Sequence, residues 1–126
     1  MGQGTLRAML GLHALNGVLV IAATLLAAVW GAVYYRRGRP PGAVFAHLLA
    51  LSQALVIAQV ALGLLLLSDG RRNPDQLHYA YGSFALMAVL SPWLYAPPVP
   101  RRRLAWFAGA SLVASALSVR AYTTGV

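Results

Sequence analysis

Two histidines of this 126-residue chain sit in the same short frame: Leu12-His13-Ala14-Leu15-Asn16-Gly17 and Leu77-His78-Tyr79-Ala80-Tyr81-Gly82 both read Leu-His-x-x-x-Gly. Each His stands 23 residues before the first Arg of the next basic run, Arg36 in one case and Arg101 in the other. On a helix rising 1.5 Å per residue that is roughly 34 Å, so both imidazoles are expected at one depth near the outer edge of a bilayer's hydrocarbon layer. Two neutral imidazoles at one level of a helical bundle are donors for a metal approached from opposite sides. An iron porphyrin suits them, because the bundle core buries the macrocycle while its carboxylates stay near water. Gly17 and Gly82, four residues on from each His, lie one turn inward on the same face and leave room for a flat ring. Arg7, Arg71, Arg72 and Arg120 fall on the same outer side and are candidates to pair with the propionates, Arg being suited to bidentate carboxylate contact.

A single His at the interface end of a helix is often an ordinary anchor, and His47 is read that way, since no second His or acid shares its depth. The matched pair reads differently, because ionisable groups inside spans face interior partners. Ser52, Gln59 and Gly63 form a small, polar stripe on the second helix, as do Ser111, Ser115 and Ser118 on the fourth. Such stripes join helices in lipid, and Gln59 is in addition a candidate to hydrogen-bond a cofactor edge. The chain has no Cys, which excludes disulfides, thiolate metal sites and covalent haem attachment through a Cys pair. Phosphate loops and nucleophile elbows are absent as well.

These residues need elements to position them, and the composition says which. The chain is 60% hydrophobic and 10% charged, well below the charge that covers a water-soluble domain. All ten basic residues are Arg, against the two acids Asp69 and Asp75, and the formal charge is +8. The Arg residues stand in short runs between long uncharged stretches, which is the pattern of loops between membrane spans and not of a nucleic-acid surface. Spans are expected at about 8–35, 42–68, 76–96 and 104–122 in a single four-helix domain covering residues 1–126. The breakers Gly38 with Pro40-Pro41-Gly42, Asp69-Gly70 with Asn73-Pro74, and Pro97-Pro98 with Pro100 end helices near Tyr35, Ser68 and Ala96. Pro92 is expected to kink the third helix, with neighbouring helices satisfying the freed carbonyl.

Short loops make sequential helices antiparallel neighbours. The expected fold class is therefore an all-α membrane protein, an antiparallel up-down four-helix transmembrane bundle with an internal two-helix pseudo-repeat. Arg36, Arg37, Arg39, Arg101, Arg102 and Arg103 outvote Arg7, Arg71, Arg72 and Arg120, placing the first and third loops in the cytoplasm and both termini outside. The first span is too long for a signal's apolar region and no small-residue cleavage site precedes the Arg run, so it is read as a retained helix. Trp30, Trp93 and Trp106 with Tyr34, Tyr35 and Tyr95 form the aromatic belt at the cytoplasmic ends.

The run Leu12 to Gly17, the turn Arg36 to Arg39, the segment Gln59-Val60-Ala61-Leu62-Gly63 and the start of the His78 helix together resemble one half of a haem A synthase, the cytochrome oxidase assembly family. That family is built of two pseudo-symmetric four-helix bundles, each with a His near the outer start of its first and third helices. The resemblance covers roughly residues 10–120 and implies that His13 and His78 are an axial pair. The chain departs from the family in three ways: Leu10 stands where an acidic residue implicated in haem methyl oxidation precedes the first His, the extracellular Cys pair is missing, and there is one bundle instead of two.

The leading expectation is an integral b-type haem-binding protein of a prokaryotic plasma membrane. One haem b per bundle would be ligated through its iron by His13 and His78, for electron transport or haem handling. Two alternatives stand beside it. One is a haem A synthase-like oxidoreductase working as a homo-oligomer of half-size bundles; the other is a cofactor-free accessory subunit of a larger respiratory or photosynthetic complex.

Overall fold

A computed structural model describes residues 2–125, all of its regular structure helical: α1 (Gln3–Arg36), α2 (Ala43–Ser68), α3 (Leu77–Leu90), α4 (Pro92–Tyr95) and α5 (Pro100–Thr124). α1, α2 and α5 are long and apolar enough to cross a membrane, with 34, 26 and 25 residues. Large apolar side chains such as Leu15, Ile57, Leu65 and Leu112 are exposed along the outside, a surface suited to lipid and not to water.

Local chemistry sets the helix ends. α1 closes on Gly38 at φ +65°, whose N–H reaches Tyr35 O, while the N–H of Arg39 reaches Tyr34 O. α2 closes in the same way on Gly70 at φ +80°, with Gly70 bonded to Leu67 O and Arg71 to Leu66 O. Both are Schellman motifs, in which a left-handed residue lets two carbonyls of the last turn find donors. The turn into α3 is folded by side chains: Asn73 Oδ1 accepts from the Asp75 N–H and Asp75 Oδ1 from the Leu77 N–H, each at 2.9 Å.

The third span differs most from expectation. α3 stops after 14 residues, only about 21 Å of helix and less than a hydrocarbon layer. The single turn α4 continues it beyond Ser91. Pro92 has no N–H to offer Ala88 O, and the donor that replaces it comes from the preceding residue, Ser91 Oγ at 2.9 Å, instead of from a neighbouring helix. Residues 96–99 then run without helical structure to Pro100, the first residue of α5. The 23-residue helical ruler therefore holds along α1 but not from His78 to Arg101.

α5 packs along both α1 and α3, and α1 along α2, while α2 and α3 touch less. The middle layer takes one side chain from each of the four, Val20, Val56, Val89 and Ala114. Nearer the Arg36 and Arg101 turns, Phe45, Leu104 and Phe107 form a second cluster under Trp30 and Tyr34. Small residues bring α1 against α5: a Cβ on Gly31 would lie 2.7 Å from Ala108 Cβ and 2.8 Å from the Phe45 ring. Ser111, Ser115 and Ser118 are buried, and Ser115 Oγ donates to Ile21 O of α1 at 3.3 Å. Ser52 is buried too, its hydroxyl turned back to Leu48 O of its own helix. His47 is exposed with Nδ1 bonded to Ala43 O one turn earlier, a local anchor.

Candidate functional site

The two Arg-rich turns share one end of the molecule, where the Arg101 guanidinium lies 4.1 Å from the centre of the Tyr35 ring. Toward the other end the helices part around a cavity of about 680 Å³, a size within the usual range for small-molecule and cofactor sites. His13 and His78 both line it, as do Gly17, Gly82 and Gln59, with Arg71 and Arg72 from the α2–α3 turn. Val20, Val56 and Ala85 lie deeper and give it an apolar floor. Arg7 is exposed and does not line the cavity. Neither does Arg120, whose guanidinium sits 5.4 Å from the Tyr81 ring centre.

The two imidazoles face each other across helices, their ring centroids 6.1 Å apart and their planes at 79°. Different devices position them. His13 lies ten residues into α1, and its turn is clamped to α2: Gln59 Nε2 donates to His13 O at 2.8 Å. Asn16 Nδ2 donates to Gln59 Oε1 and to Leu55 O, both at 2.9 Å. Buried amides in lipid need partners, and here the two side chains and two helix carbonyls satisfy one another. Gly17 serves this clamp, since a Cβ there would stand 3.1 Å from Gln59 Nε2. Its missing side chain makes room for the amide more than for a ligand. Gly82 is the opposite case: a Cβ added to it would meet no atom within 4 Å, so it faces open space.

His78 is the second residue of α3, and Nδ1 lies 2.7 Å from Ala121 O of α5. A carbonyl only accepts, so Nδ1 carries the proton and the Nε2 lone pair is left available. Gly125 completes the cradle, because a Cβ there would fall 2.8 Å from His78 Nδ1 and Cε1. His13 has no such support on its ring: Nδ1 is buried with no hydrogen-bond partner among the described residues. Gly63 leaves space beside it, its virtual Cβ 3.4 Å from His13 Cε1.

Asn16, Ala121 and Gly125 thus belong to the site although their types and spacing did not single them out. Asn16 carried a signal, as an amide three residues after His13 inside an otherwise apolar span. Ala121 acts through its backbone carbonyl and Gly125 through the absence of a side chain, and neither property shows in a hydropathy pattern. Among the described residues no group of three or more His, Cys, Asp or Glu is gathered to hold a metal ion. The site offers two nitrogen donors, a basic mouth and an apolar floor. Comparison of the chain with protein-family models, with curated proteins and with solved structures finds no match.

Proposed function

We propose that the chain is an integral membrane b-type haem-binding protein, with His13 and His78 as the axial pair and electron transfer or haem handling as its role. The observation that carries the reading is the 6.1 Å separation of two imidazoles at a cavity wall. An imidazole nitrogen bonds a first-row metal at about 2 Å, so two rings sharing one metal stand with centroids roughly 6 Å apart. Two donors are too few for a bare ion of this kind, and a macrocycle supplies the remaining ones. The residues fit such a group in further respects. His78 Nδ1 is bonded to a carbonyl, as is usual when the other ring nitrogen ligates a metal. Gly82 leaves one wall open, and Arg71 and Arg72 stand at the mouth, where two carboxylates need cations. When bound, the haem supplies one-electron redox chemistry, and the chain contributes ligand geometry, burial and charge neutralisation.

Leu10 also lines the cavity, and among the described residues no Asp or Glu does. A wall of this kind favours holding a haem over oxidising one, so we rank the haem A synthase-like oxidoreductase second. In the proposed arrangement the four helical units run up and down across a prokaryotic plasma membrane. The Arg36–Arg39 and Arg101–Arg103 turns lie inside, both termini outside, and the two Leu-His-x-x-x-Gly frames are halves of a pseudo-repeat. Protein purified in detergent after haem-replete expression is expected to show a Soret band and a b-type pyridine haemochrome at one haem per bundle. Lack of the band, or a band unchanged in the double variant His13→Ala with His78→Ala, overturns the reading.

A further inference from the structure

The two histidines are supported unequally, and the inequality predicts how the site behaves toward small ligands. His78 is held at three points. Nδ1 bonds Ala121 O at 2.7 Å, the ring lies where a Gly125 Cβ would stand 2.8 Å away, and the residue follows Leu77, whose N–H donates to Asp75 Oδ1. A hydrogen bond from the non-ligating nitrogen to a carbonyl fixes the tautomer, fixes the ring plane and makes the ligating nitrogen more basic. The hydrogen bond of ordinary geometry that fixes His13 is on its backbone, where the Gln59 amide donates to its carbonyl. Its ring Nδ1 is buried and makes no hydrogen bond of ordinary geometry among the described residues, the Gln59 backbone being the polar group that the ring approaches. The space beside it is lined by Gly63, whose Cβ would only reach ordinary van der Waals contact at 3.4 Å. With Nε2 as the ligating atom Nδ1 would carry the proton, and a buried N–H without an acceptor at hydrogen-bond distance is destabilised until the ring turns to find water or a partner.

Resting on the haem reading above, we propose that His78 is the permanent ligand and His13 the exchangeable one, so that the cavity on the His13 side admits a small neutral diatomic ligand. With such a group bound, His13 would be the residue that gives way, as a neutral imidazole, and a small neutral ligand would take its place as donor. No proton or electron is transferred in the exchange. The ring of His13 has somewhere to go, because the cavity it lines extends past Gly63 to Leu67 and the α2–α3 turn. His78 has no comparable freedom while Ala121 and Gly125 enclose it.

The test compares His13→Ala, His78→Ala and Gly125→Val with the parent chain, all purified in detergent and checked for helicity by circular dichroism. Dithionite-reduced parent protein is expected to shift its Soret band when carbon monoxide is added. His13→Ala is expected to keep near-stoichiometric haem in a five-coordinate state, to bind carbon monoxide at least tenfold faster, and to regain a six-coordinate spectrum with added imidazole. His78→Ala is expected to lose most of its haem. Gly125→Val, which crowds the His78 ring without removing it, is expected to lower haem retention severalfold. Folded, haem-loaded parent protein that resists carbon monoxide, or a His78→Ala variant that retains haem better than His13→Ala, overturns the inequality while leaving the haem reading intact. A parent chain with no Soret band overturns both.

Discussion

The same helices build two unlike ends. At the Arg36 and Arg101 turns they are closed by large apolar side chains: Phe45, Leu104 and Phe107 are buried under Trp30 and Tyr34. Arg103 also lies over the faces of Trp93 and Phe107, at 5.5 and 5.2 Å. At the His13 and His78 end they stay apart around a cavity, and what holds them is polar: the Asn16–Gln59 clamp between α1 and α2, and the His78 bond to α5. The difference lies in what fills the space between the helix axes. One end uses tight apolar contact that sets the axes, including the close approach at Gly31; the other uses directed hydrogen bonds that fix a few side chains while leaving volume open. A bundle can keep an internal site when its rigidity is supplied elsewhere, and here it is supplied by the closed end and the middle layer.

If that division is right, the closed end should be the more sensitive to volume changes. Phe107→Ala is expected to have the largest effect, a loss of about 3 kcal/mol, the lower end for an aromatic truncation because lipid can replace part of the lost contact. Thermal unfolding in detergent measures it, and a change below about 1 kcal/mol would mean that the aromatic cluster does not hold this end. Gly31→Leu comes next. Its Cβ would stand 2.7 Å from Ala108 and 2.8 Å from Phe45, so α1 and α5 must separate, at about 1–3 kcal/mol by the same assay.

At the open end the effects on stability should be smaller and those on ligand capacity larger. Gln59→Leu leaves Asn16 with one acceptor instead of two and removes the donor to His13 O. It is expected to lower stability by about 1 kcal/mol, typical of an interhelical hydrogen bond in lipid, and to broaden the Soret band as the His13 turn loosens. The smallest effect on stability is expected from Gly82→Ala, which adds a methyl group where nothing lies within 4 Å. Stability should rise by about 0.5–1 kcal/mol from the better helix propensity. Gly82→Phe in turn should leave the melting temperature near that of the parent while reducing haem stoichiometry, because its ring takes up cavity volume. A Gly82→Phe protein with full haem content would show that this wall is not the one the ligand uses.

Much of this architecture is local and was legible. Gly38 and Gly70 sit where left-handed residues close α1 and α2, and the breakers around them place the helix ends at Arg36 and Ser68, within a residue of expectation. The Arg layout separates the apolar stretches, and His13 and His78 stand out because ionisable groups are few there. What stayed hidden depends on rotation about helix axes. α1 and α2 are apolar nearly all round, so their periodicity does not say which face meets which neighbour. Gln59 was a candidate for a cofactor edge, yet its amide is engaged with Asn16 and His13. Arg7, Arg71, Arg72 and Arg120 were equivalent by depth, yet Arg71 and Arg72 alone among them line the cavity. Depth is readable from spacing along an unbroken helix such as α1, though not across the break after α3, whereas azimuth around an axis is set by packing.

The sequence by itself determined a helical chain of long apolar stretches apt to cross a membrane, read as four where three helices have the length and apolarity, together with the ends of α1 and α2 and a pair of histidines in matched frames. Those properties follow from backbone sterics, hydropathy and the 1.5 Å rise, which act within a few residues of one another. Tertiary structure alone decided that the two rings approach to 6.1 Å, and that Ala121 O holds one of them while the other makes no hydrogen bond at its Nδ1 among the described residues. These depend on how closely small residues such as Gly31 and Gly125 let side chains and helices approach, a distance that spacing along the chain does not encode.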